Sequence, residues 1–162
     1  MASFLSRSPA ETAGYAASFA STLQRNEIVT LIGELGTGKT QFVKGVCKYF
    51  HTDAHASSPT FVMLNRYTGQ DNDGMELLVY HFDLYRTASE AEILALGYEE
   101  FFHGGGICLI EWADRLLNLT PHERTEVRFS FGSQENERRI EVNRYSESRK
   151  AVKAEISPRR QE

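Results

Sequence analysis

The chain has 162 residues, a hydrophobic fraction of 41% and a formal net charge of −4. This length suits one domain with a substantial core. The negative charge argues against a dedicated nucleic-acid binder, so DNA is not an expected partner. Because the apolar runs are short and no secretory signal is recognisable, we expect a cytoplasmic protein without a membrane partner. Cys47 and Cys108 form no metal or redox spacing and are interpreted as reduced core residues.

The first predicted elements are a helix, a strand and a second helix. Ser8-Pro9-Ala10-Glu11 is typical of a capping box with proline at the first helical position. The β-branched run Ile28–Ile32 is typical of a buried parallel strand. A helix is predicted from Lys39 to about Phe50, with Gly45 as a weak but tolerated position. The strand and the second helix predict an opening βα unit.

Between that strand and that helix lies Gly33-Glu34-Leu35-Gly36-Thr37-Gly38-Lys39-Thr40, which fits the pattern G-x-x-x-x-G-K-[ST] at every fixed position. The glycines allow backbone N–H groups to surround phosphate oxygens, and the helix N-terminus adds partial positive charge. Lys39 is predicted to contact the β- and γ-phosphates, and the Thr40 hydroxyl to bind Mg²⁺. The motif in this setting predicts a nucleoside triphosphate site.

The middle of the chain predicts a β-hairpin, two helices and a buried strand. Strands are predicted over Thr60–Tyr67 and Met75–Asp83, joined by a turn-rich segment, so the sheet is not wholly parallel. Helices are predicted over Ser89–Leu96 and Tyr98–Phe102. Ile107–Ile110 is a short apolar run typical of a central strand.

The last part predicts a short helix over Ala113–Leu119 and two antiparallel strands, around Val127–Phe131 and Ile140–Val142. The order of elements predicts an α/β fold, a three-layer sandwich of the P-loop NTPase type. Its mixed sheet has a parallel core flanked by the hairpin and the C-terminal strands. Residues 1–145 are expected to form a single domain. Residues 146–162, with five basic and three acidic side chains, are typical of a polar, partly disordered tail.

Two acidic residues stand at the ends of predicted strands, where a carboxylate can point at the metal of a phosphate site. Glu111 follows an unbroken apolar run and is the predicted Mg²⁺ partner of Thr40, against the alternative of a simple polar strand end. Asp83 ends the other strand, whose approach through Tyr80-His81-Phe82 is less uniformly apolar. It is the predicted catalytic residue that orients or deprotonates the attacking water, or holds metal-bound water.

Three further features have two interpretations each. The hydroxyls of Ser57-Ser58-Pro59-Thr60 are placed to sense the γ-phosphate, or Pro59 only fixes a turn. Arg86 is a candidate for stabilising charge on the transferring phosphoryl group, or a partner in a surface ion pair. Trp112 is interpreted as a packing residue or an interface anchor rather than a base-stacking platform.

Four blocks taken together resemble the TsaE (YjeE) family of bacterial ATPases. They are the phosphate loop, Ser58-Pro59-Thr60-Phe61, His81-Phe82-Asp83-Leu84-Tyr85-Arg86 and Glu111-Trp112. The phosphate loop alone is shared by many families, but its order and spacing with the other three blocks is specific. The resemblance spans about Ser8 to Tyr145.

The resemblance implies a Mg-dependent ATPase with little turnover alone. Members of that family act with the TsaB and TsaD proteins in forming N6-threonylcarbamoyladenosine at adenosine 37 of tRNAs that read codons beginning with A. The nucleotide cycle is expected to regulate or reset the TsaD–TsaB complex, which meets tRNA directly. By the same resemblance Thr40 and Glu111 match the Mg²⁺ ligands. Gly36 to Gln41 match the nucleotide-binding stretch, although Gln41 stands where members often have a second Thr.

Three classes of function compete. ATP is favoured over GTP, because the N-K-x-D segment expected from resemblance to GTPase families is missing from the sequence. A small-molecule kinase is the main alternative, but the predicted hairpin offers no obvious arginine-bearing lid to exclude water from an acceptor. The third class is a binding module that holds ATP only to stabilise its fold.

Overall fold

The computed structural model describes residues 2–53, 56–57 and 63–146. Within these residues the chain forms seven strands, four α-helices and one 3₁₀ helix. The strands are β1 (Ala2–Ser6), β2 (Ile28–Ile32), β3 (Leu64–Gln70), β4 (Glu76–Asp83), β5 (Ile107–Glu111), β6 (Arg124–Phe131) and β7 (Arg138–Tyr145). The helices are α1 (Pro9–Ala20), α2 (Lys39–Tyr49), α3 (Glu90–Ala95), α4 (Tyr98–Phe102) and the 3₁₀ helix (Ala113–Leu119).

The described strands form one mixed sheet in the order β1-β7-β6-β2-β5-β4-β3. The four inner strands β6, β2, β5 and β4 are parallel to one another. The outer strands β1, β7 and β3 are antiparallel to theirs. The predicted arrangement of a parallel core with an antiparallel hairpin and C-terminal strands is confirmed.

Helices cover both faces of this sheet, because inner strands without a solvated face bury alternate residues on each side. Val29 and Leu31 of β2 pack in the core beneath α1 and α2. Ile28 and the β5 residues Cys108 and Ile110 pack in the other core, with α3, α4 and the 3₁₀ helix. The molecule therefore has the three layers expected of a P-loop NTPase fold.

The start of α1 carries the predicted cap. The Ser8 hydroxyl accepts a hydrogen bond from the Glu11 N–H at 3.1 Å, and Pro9 occupies the first turn. The Glu11 carboxylate accepts from the Arg7 N–H at 2.7 Å, one residue earlier than in the usual reciprocal cap. The Ser8 contact satisfies one of the N–H donors that the first helical turn leaves without a helical partner, and the Glu11 contact satisfies the N–H of Arg7, just before the helix.

α1 and α2 pack closely at Gly45. A Cβ atom added to Gly45 would overlap the Ala13 carbonyl oxygen and would lie 2.7 Å from the Ala16 Cβ. The glycine that the sequence marks as a weak helical position is thus the point where the α1 backbone approaches α2.

One strand and several element boundaries differ from the predictions. β1 was not predicted; it forms by antiparallel pairing with β7, with Phe4 opposite Ile140. β3 extends to Gln70 and pairs with Glu76 of β4, so the turn is shorter than predicted. The predicted start of β3 at Thr60 lies outside the described residues, as does the tail beyond Ser146.

Cys47 and Cys108 are both buried and free, and they lie in opposite cores. Burial raises the pKa of both thiols to about 12, because a thiolate loses its solvation in an apolar core.

In the part of the chain that the structure describes, no helix has both the length and the apolar character to cross a bilayer.

Candidate functional site

The phosphate loop connects the carboxyl end of β2 to the start of α2. Gly36 and Gly38 have φ angles of 79° and 101°, in the left-handed region that glycine adopts without steric cost. Gly38 directly precedes the first residue of α2. Glu34, Leu35 and Gly36 are exposed, so the tip of the loop faces solvent.

The Lys39 side chain folds back over its own loop. Its ammonium nitrogen Nζ donates to the carbonyls of Gly33 at 2.6 Å and Glu34 at 2.8 Å, and the residue is only 4% exposed. Burial lowers the pKa of Lys39, while the nearby carboxylates of Glu111, Asp114 and Asp83 act to raise it. The loop therefore holds a buried positive charge at the position where the motif predicts phosphate contacts.

The remaining predicted loop residues have distinct surroundings. The buried Thr37 hydroxyl donates to the Glu34 carbonyl at 2.7 Å, and the Thr37 N–H to the same carbonyl at 3.3 Å. Thr37 therefore fixes the loop from inside. Gly33 packs against β6, since an added Cβ would lie 2.6 Å from the Phe129 carbonyl oxygen. Gln41 is half-buried in the first turn of α2.

Thr40 and Glu111 meet at the centre of the site, although 71 positions separate them in the sequence. The Thr40 hydroxyl donates to Glu111 Oε2 at 3.0 Å. Thr40 is the second residue of α2, and Glu111 ends β5, the strand beside β2. Glu111 is 2% exposed, so a carboxylate lies in the interior directly beside the loop hydroxyl.

These two oxygens fit a Mg²⁺ ion held together with a nucleotide. Mg²⁺ prefers oxygen donors and usually takes one or two from the protein, with phosphate oxygens and water completing its shell. Among the described residues, no group of three or more His, Cys, Asp or Glu side chains is arranged to hold a metal by itself. The donor set suits an ion that arrives with phosphate.

Asp83 lies beside Glu111 on the neighbouring strand, since the two residues are paired in the β4–β5 register. Asp83 is half-buried, and its Oδ1 accepts from the Tyr85 N–H at 3.0 Å. The Leu84 N–H donates to the Glu111 carbonyl at 3.1 Å, which fixes the two strand ends together. Both predicted acids therefore stand at one edge of the sheet, close to Lys39.

Three residues at the site were not predicted to act there. The Lys39 Nζ lies 3.9 Å from the centroid of the Trp112 ring, and Trp112 packs on Tyr85 with centroids 4.8 Å apart. His81 Nε2 lies 2.9 Å from Glu111 Oε1. The Arg138 Nε donates to the Gly36 carbonyl at 3.1 Å. The sequence contained two signals for these residues: Trp112 directly follows Glu111, and His81 belongs to one of the four blocks on which the family resemblance rests.

For Arg86 and the segment Ser57-Ser58-Pro59-Thr60, both interpretations from the sequence remain predictions. Arg86 is exposed, three residues beyond Asp83. Ser57 contacts Tyr67, whose hydroxyl donates to the Ser57 carbonyl at 3.3 Å. Ser58, Pro59 and Thr60 lie outside the described residues, so the γ-phosphate sensor stays a prediction.

A family model described as "Threonylcarbamoyl adenosine biosynthesis protein TsaE" matches residues 6–140. This span contains the phosphate loop and both predicted acids.

Several curated relatives carry the name "tRNA threonylcarbamoyladenosine biosynthesis protein TsaE". The protein from Bacillus subtilis is 40% identical over 119 residues, which cover 74% of this chain and 71% of the relative. The protein from Rickettsia bellii is 42% identical over 118 residues, which cover 72% of this chain and 78% of the relative.

A solved structure supports the same assignment. The crystal structure of Bacillus subtilis YdiB superposes with a TM-score of 0.70 at 30% sequence identity, covering 93% of this chain and 89% of that one. With its mixed sheet, its phosphate loop and these matches over most of its length, the chain belongs to the TsaE family.

Proposed function

We propose that this protein binds ATP with Mg²⁺ and hydrolyses it slowly, as an auxiliary ATPase of tRNA threonylcarbamoyladenosine formation. One observation carries the chemical part of this proposal: Lys39, Thr40 and Glu111 converge on the phosphate loop. Membership of the TsaE family supports the biological part.

The loop residues bind the nucleotide in this proposal. The N–H groups of the loop and the N-terminus of α2 hold phosphate oxygens, with Gly36, Gly38 and Gln41 contributing through the backbone. Lys39 exchanges its carbonyl contacts for the β- and γ-phosphates. Thr40 and Glu111 would hold Mg²⁺, which when bound neutralises charge on the phosphate oxygens.

Asp83 is the proposed catalytic residue. It ends β4 in register with Glu111 and has one oxygen fixed by the Tyr85 N–H. A carboxylate held in this way orients a water molecule for attack on the γ-phosphate and accepts its proton.

The slow turnover is proposed to serve the TsaD–TsaB complex, with tRNA reached only through that complex. We also propose that residues 1–145 form one ATPase domain with 146–162 as a polar tail. The family match, which ends at residue 140, and the end of β7 at Tyr145 support this division.

The test compares hydrolysis by the purified chain alone with hydrolysis in the presence of TsaB, TsaD and tRNA. We expect nucleotide affinity to depend on Mg²⁺, slow turnover alone and a clear rise with the partners. ATP should be preferred over GTP in the same assay. Unchanged turnover with the partners, together with rapid phosphate transfer to a metabolite, would establish the small-molecule kinase instead.

A further inference from the structure

His81 is a fully buried histidine whose hydrogen bond leads to the predicted metal ligand. It lies on β4, two residues before Asp83, and its exposed fraction is 0%. Its Nε2 lies 2.9 Å from Glu111 Oε1, while the Thr40 hydroxyl contacts the other oxygen, Oε2, at 3.0 Å. Glu111 is therefore held from both oxygens.

The proposed metal-binding role of Glu111 assigns the proton of this contact to the imidazole. A carboxylate that binds Mg²⁺ is ionised and offers only acceptors, so Nε2 then carries the hydrogen and donates it to Glu111. The other ring nitrogen, Nδ1, is buried and has no hydrogen-bond partner among the described residues. Among the described residues, Glu111 is thus the only hydrogen-bond partner of the His81 side chain.

The ring itself is fixed by packing. Tyr67 of β3 stacks on His81 with centroids 6.3 Å apart and an interplanar angle of 28°. Tyr67 in turn contacts the Ser57 main chain and the Asn65 side chain. A ring held in this way presents Nε2–H to Glu111 in one orientation, as the residues that hold metal ligands in proteins commonly do.

We propose that His81 is a positioning residue that holds the Glu111 carboxylate with Oε2 directed at Thr40. This inference rests on the proposed Mg-nucleotide function. His81 does not touch nucleotide or metal; it acts by restricting the rotation of Glu111. Losing such a contact commonly weakens metal affinity by about 10- to 100-fold.

The experiment measures ADP affinity by calorimetry across a Mg²⁺ series and in EDTA. His81→Leu removes the donor, and His81→Gln places an amide N–H near the position of Nε2. We expect His81→Leu to weaken the Mg²⁺ affinity of the ADP complex by at least about tenfold. Its metal-free ADP affinity should stay within about twofold of wild type, since Lys39 and the loop are unchanged. His81→Gln should retain most of the Mg²⁺ effect.

Thr30→Val is the matched control. Thr30 is also a buried polar residue of an inner strand, with its hydroxyl bonded to the Thr125 carbonyl. It should lower stability without changing the Mg²⁺ dependence. Combining His81→Leu with Glu111→Gln should cost no more Mg²⁺ affinity than Glu111→Gln alone, because both changes act through one carboxylate.

Equal losses in His81→Leu and His81→Gln, or a loss that also appears in EDTA, would reduce His81 to a packing residue. A wild-type protein with no Mg²⁺-dependent ADP binding would instead overturn the proposed function. Should His81→Leu fail to fold, nuclear magnetic resonance of the five ¹⁵N-labelled histidines in the wild-type protein decides. Adding Mg²⁺ to the ADP complex must then shift the His81 Nε2 signal; an unmoved signal contradicts the inference.

Discussion

Lys39 carries a positive charge into a nearly closed environment, with two loop carbonyls and the face of Trp112 as its contacts. Carbonyl oxygens and an aromatic face partly replace the water that a lysine normally keeps. Burial lowers the pKa of Lys39, and the three acidic neighbours oppose this effect. A bound polyphosphate would add negative charge and thereby favour the charged form of Lys39 further.

Replacing Lys39 with Met should weaken ADP binding by about 10- to 150-fold, because a hydrogen bond to a charged group contributes about 1.5–3 kcal/mol. Calorimetry measures the change. Lys44→Met is the control, since Lys44 is an exposed lysine on the same helix and should leave affinity within about twofold. Equal affinities of the two variants would remove Lys39 from the phosphate site.

Replacing Asp83 with Asn should retain nucleotide binding and reduce hydrolysis by about 100-fold or more, the usual contribution of a general base. Asp114→Asn is the matched control, because Asp114 also acts on the charge of Lys39 but is exposed on the 3₁₀ helix. Single-turnover hydrolysis separates the two variants. Normal turnover of Asp83→Asn would exclude Asp83 from the mechanism.

The sequence predicted Lys39, Thr40 and Glu111 because the loop pattern and an apolar run ending in an acid are local features. His81 was missed because its partner is 30 positions away. The β4–β5 register places Asp83 opposite Glu111, and His81, two residues earlier, shares their face of the sheet. The register between β4 and β5 depends on how the whole chain folds, so neither strand's sequence predicts it alone.

At the scale of elements, strong local signals gave the helices and inner strands, whereas pairing decided the edges. Ser8 and Ser89 both accept hydrogen bonds as helix caps, and α1 and α3 begin directly after them. β1 has no comparable local signal, and its pairing with β7 defines it. The close approach of α1 and α2 was likewise invisible in the sequence.

Gly45→Ala should destabilise the protein by about 1–3 kcal/mol, because the new methyl group overlaps the Ala13 carbonyl and forces the helices apart. Helix propensity alone would predict a gain of up to about 1 kcal/mol. Gly14→Ala on α1 is the contrasting control, since nothing lies within 4 Å of its added Cβ, and it should stabilise. Urea unfolding measures both. A stabilising Gly45→Ala would contradict the tight α1–α2 packing.

Arg138→Ala should weaken ADP binding by about fivefold, because it removes a hydrogen bond that orders the phosphate loop and contributes roughly 1 kcal/mol. The arginine reaches the Gly36 carbonyl from the start of β7, so the sheet edge helps to fix the exposed loop tip. Arg139→Ala, one residue further along β7, is the control and should bind normally. Calorimetry without Mg²⁺ measures the contribution of the loop to ADP affinity separately from that of the metal.

For the molecule as a whole, the sheet separates two cores, and each holds one buried cysteine. Helices on both faces leave the thiols without a route to solvent while the sheet is intact. The cysteines therefore report on the unfolding of each layer.

Both thiols should react with a disulfide reagent at pH 8 more than about 100-fold slower in the native protein than in urea. Their pKa of about 12 in the folded state leaves very few thiolates at that pH.

Because burial raises the pKa values of both thiols, the thiols contribute stability below about pH 9, and this contribution is lost as the pH rises towards 12. The urea concentration at the unfolding midpoint should therefore be lower at pH 10 than at pH 7. This decrease should be smaller in a Cys47→Ala/Cys108→Ala variant than in the wild-type protein. Rapid native labelling of one cysteine would show that its layer opens alone.

Trp112 is the only tryptophan in the chain, and its ring lies 3.9 Å from the Lys39 ammonium. When excitation is set at wavelengths that tryptophan absorbs and tyrosine does not, the emission of the protein therefore originates beside the phosphate loop. Withdrawing Lys39 from the indole face should change the intensity of that emission, which gives stopped-flow measurements a label-free signal for the lysine's movement. The molecule thus contains its own optical probe, located where ligand binding and the first step of turnover are expected.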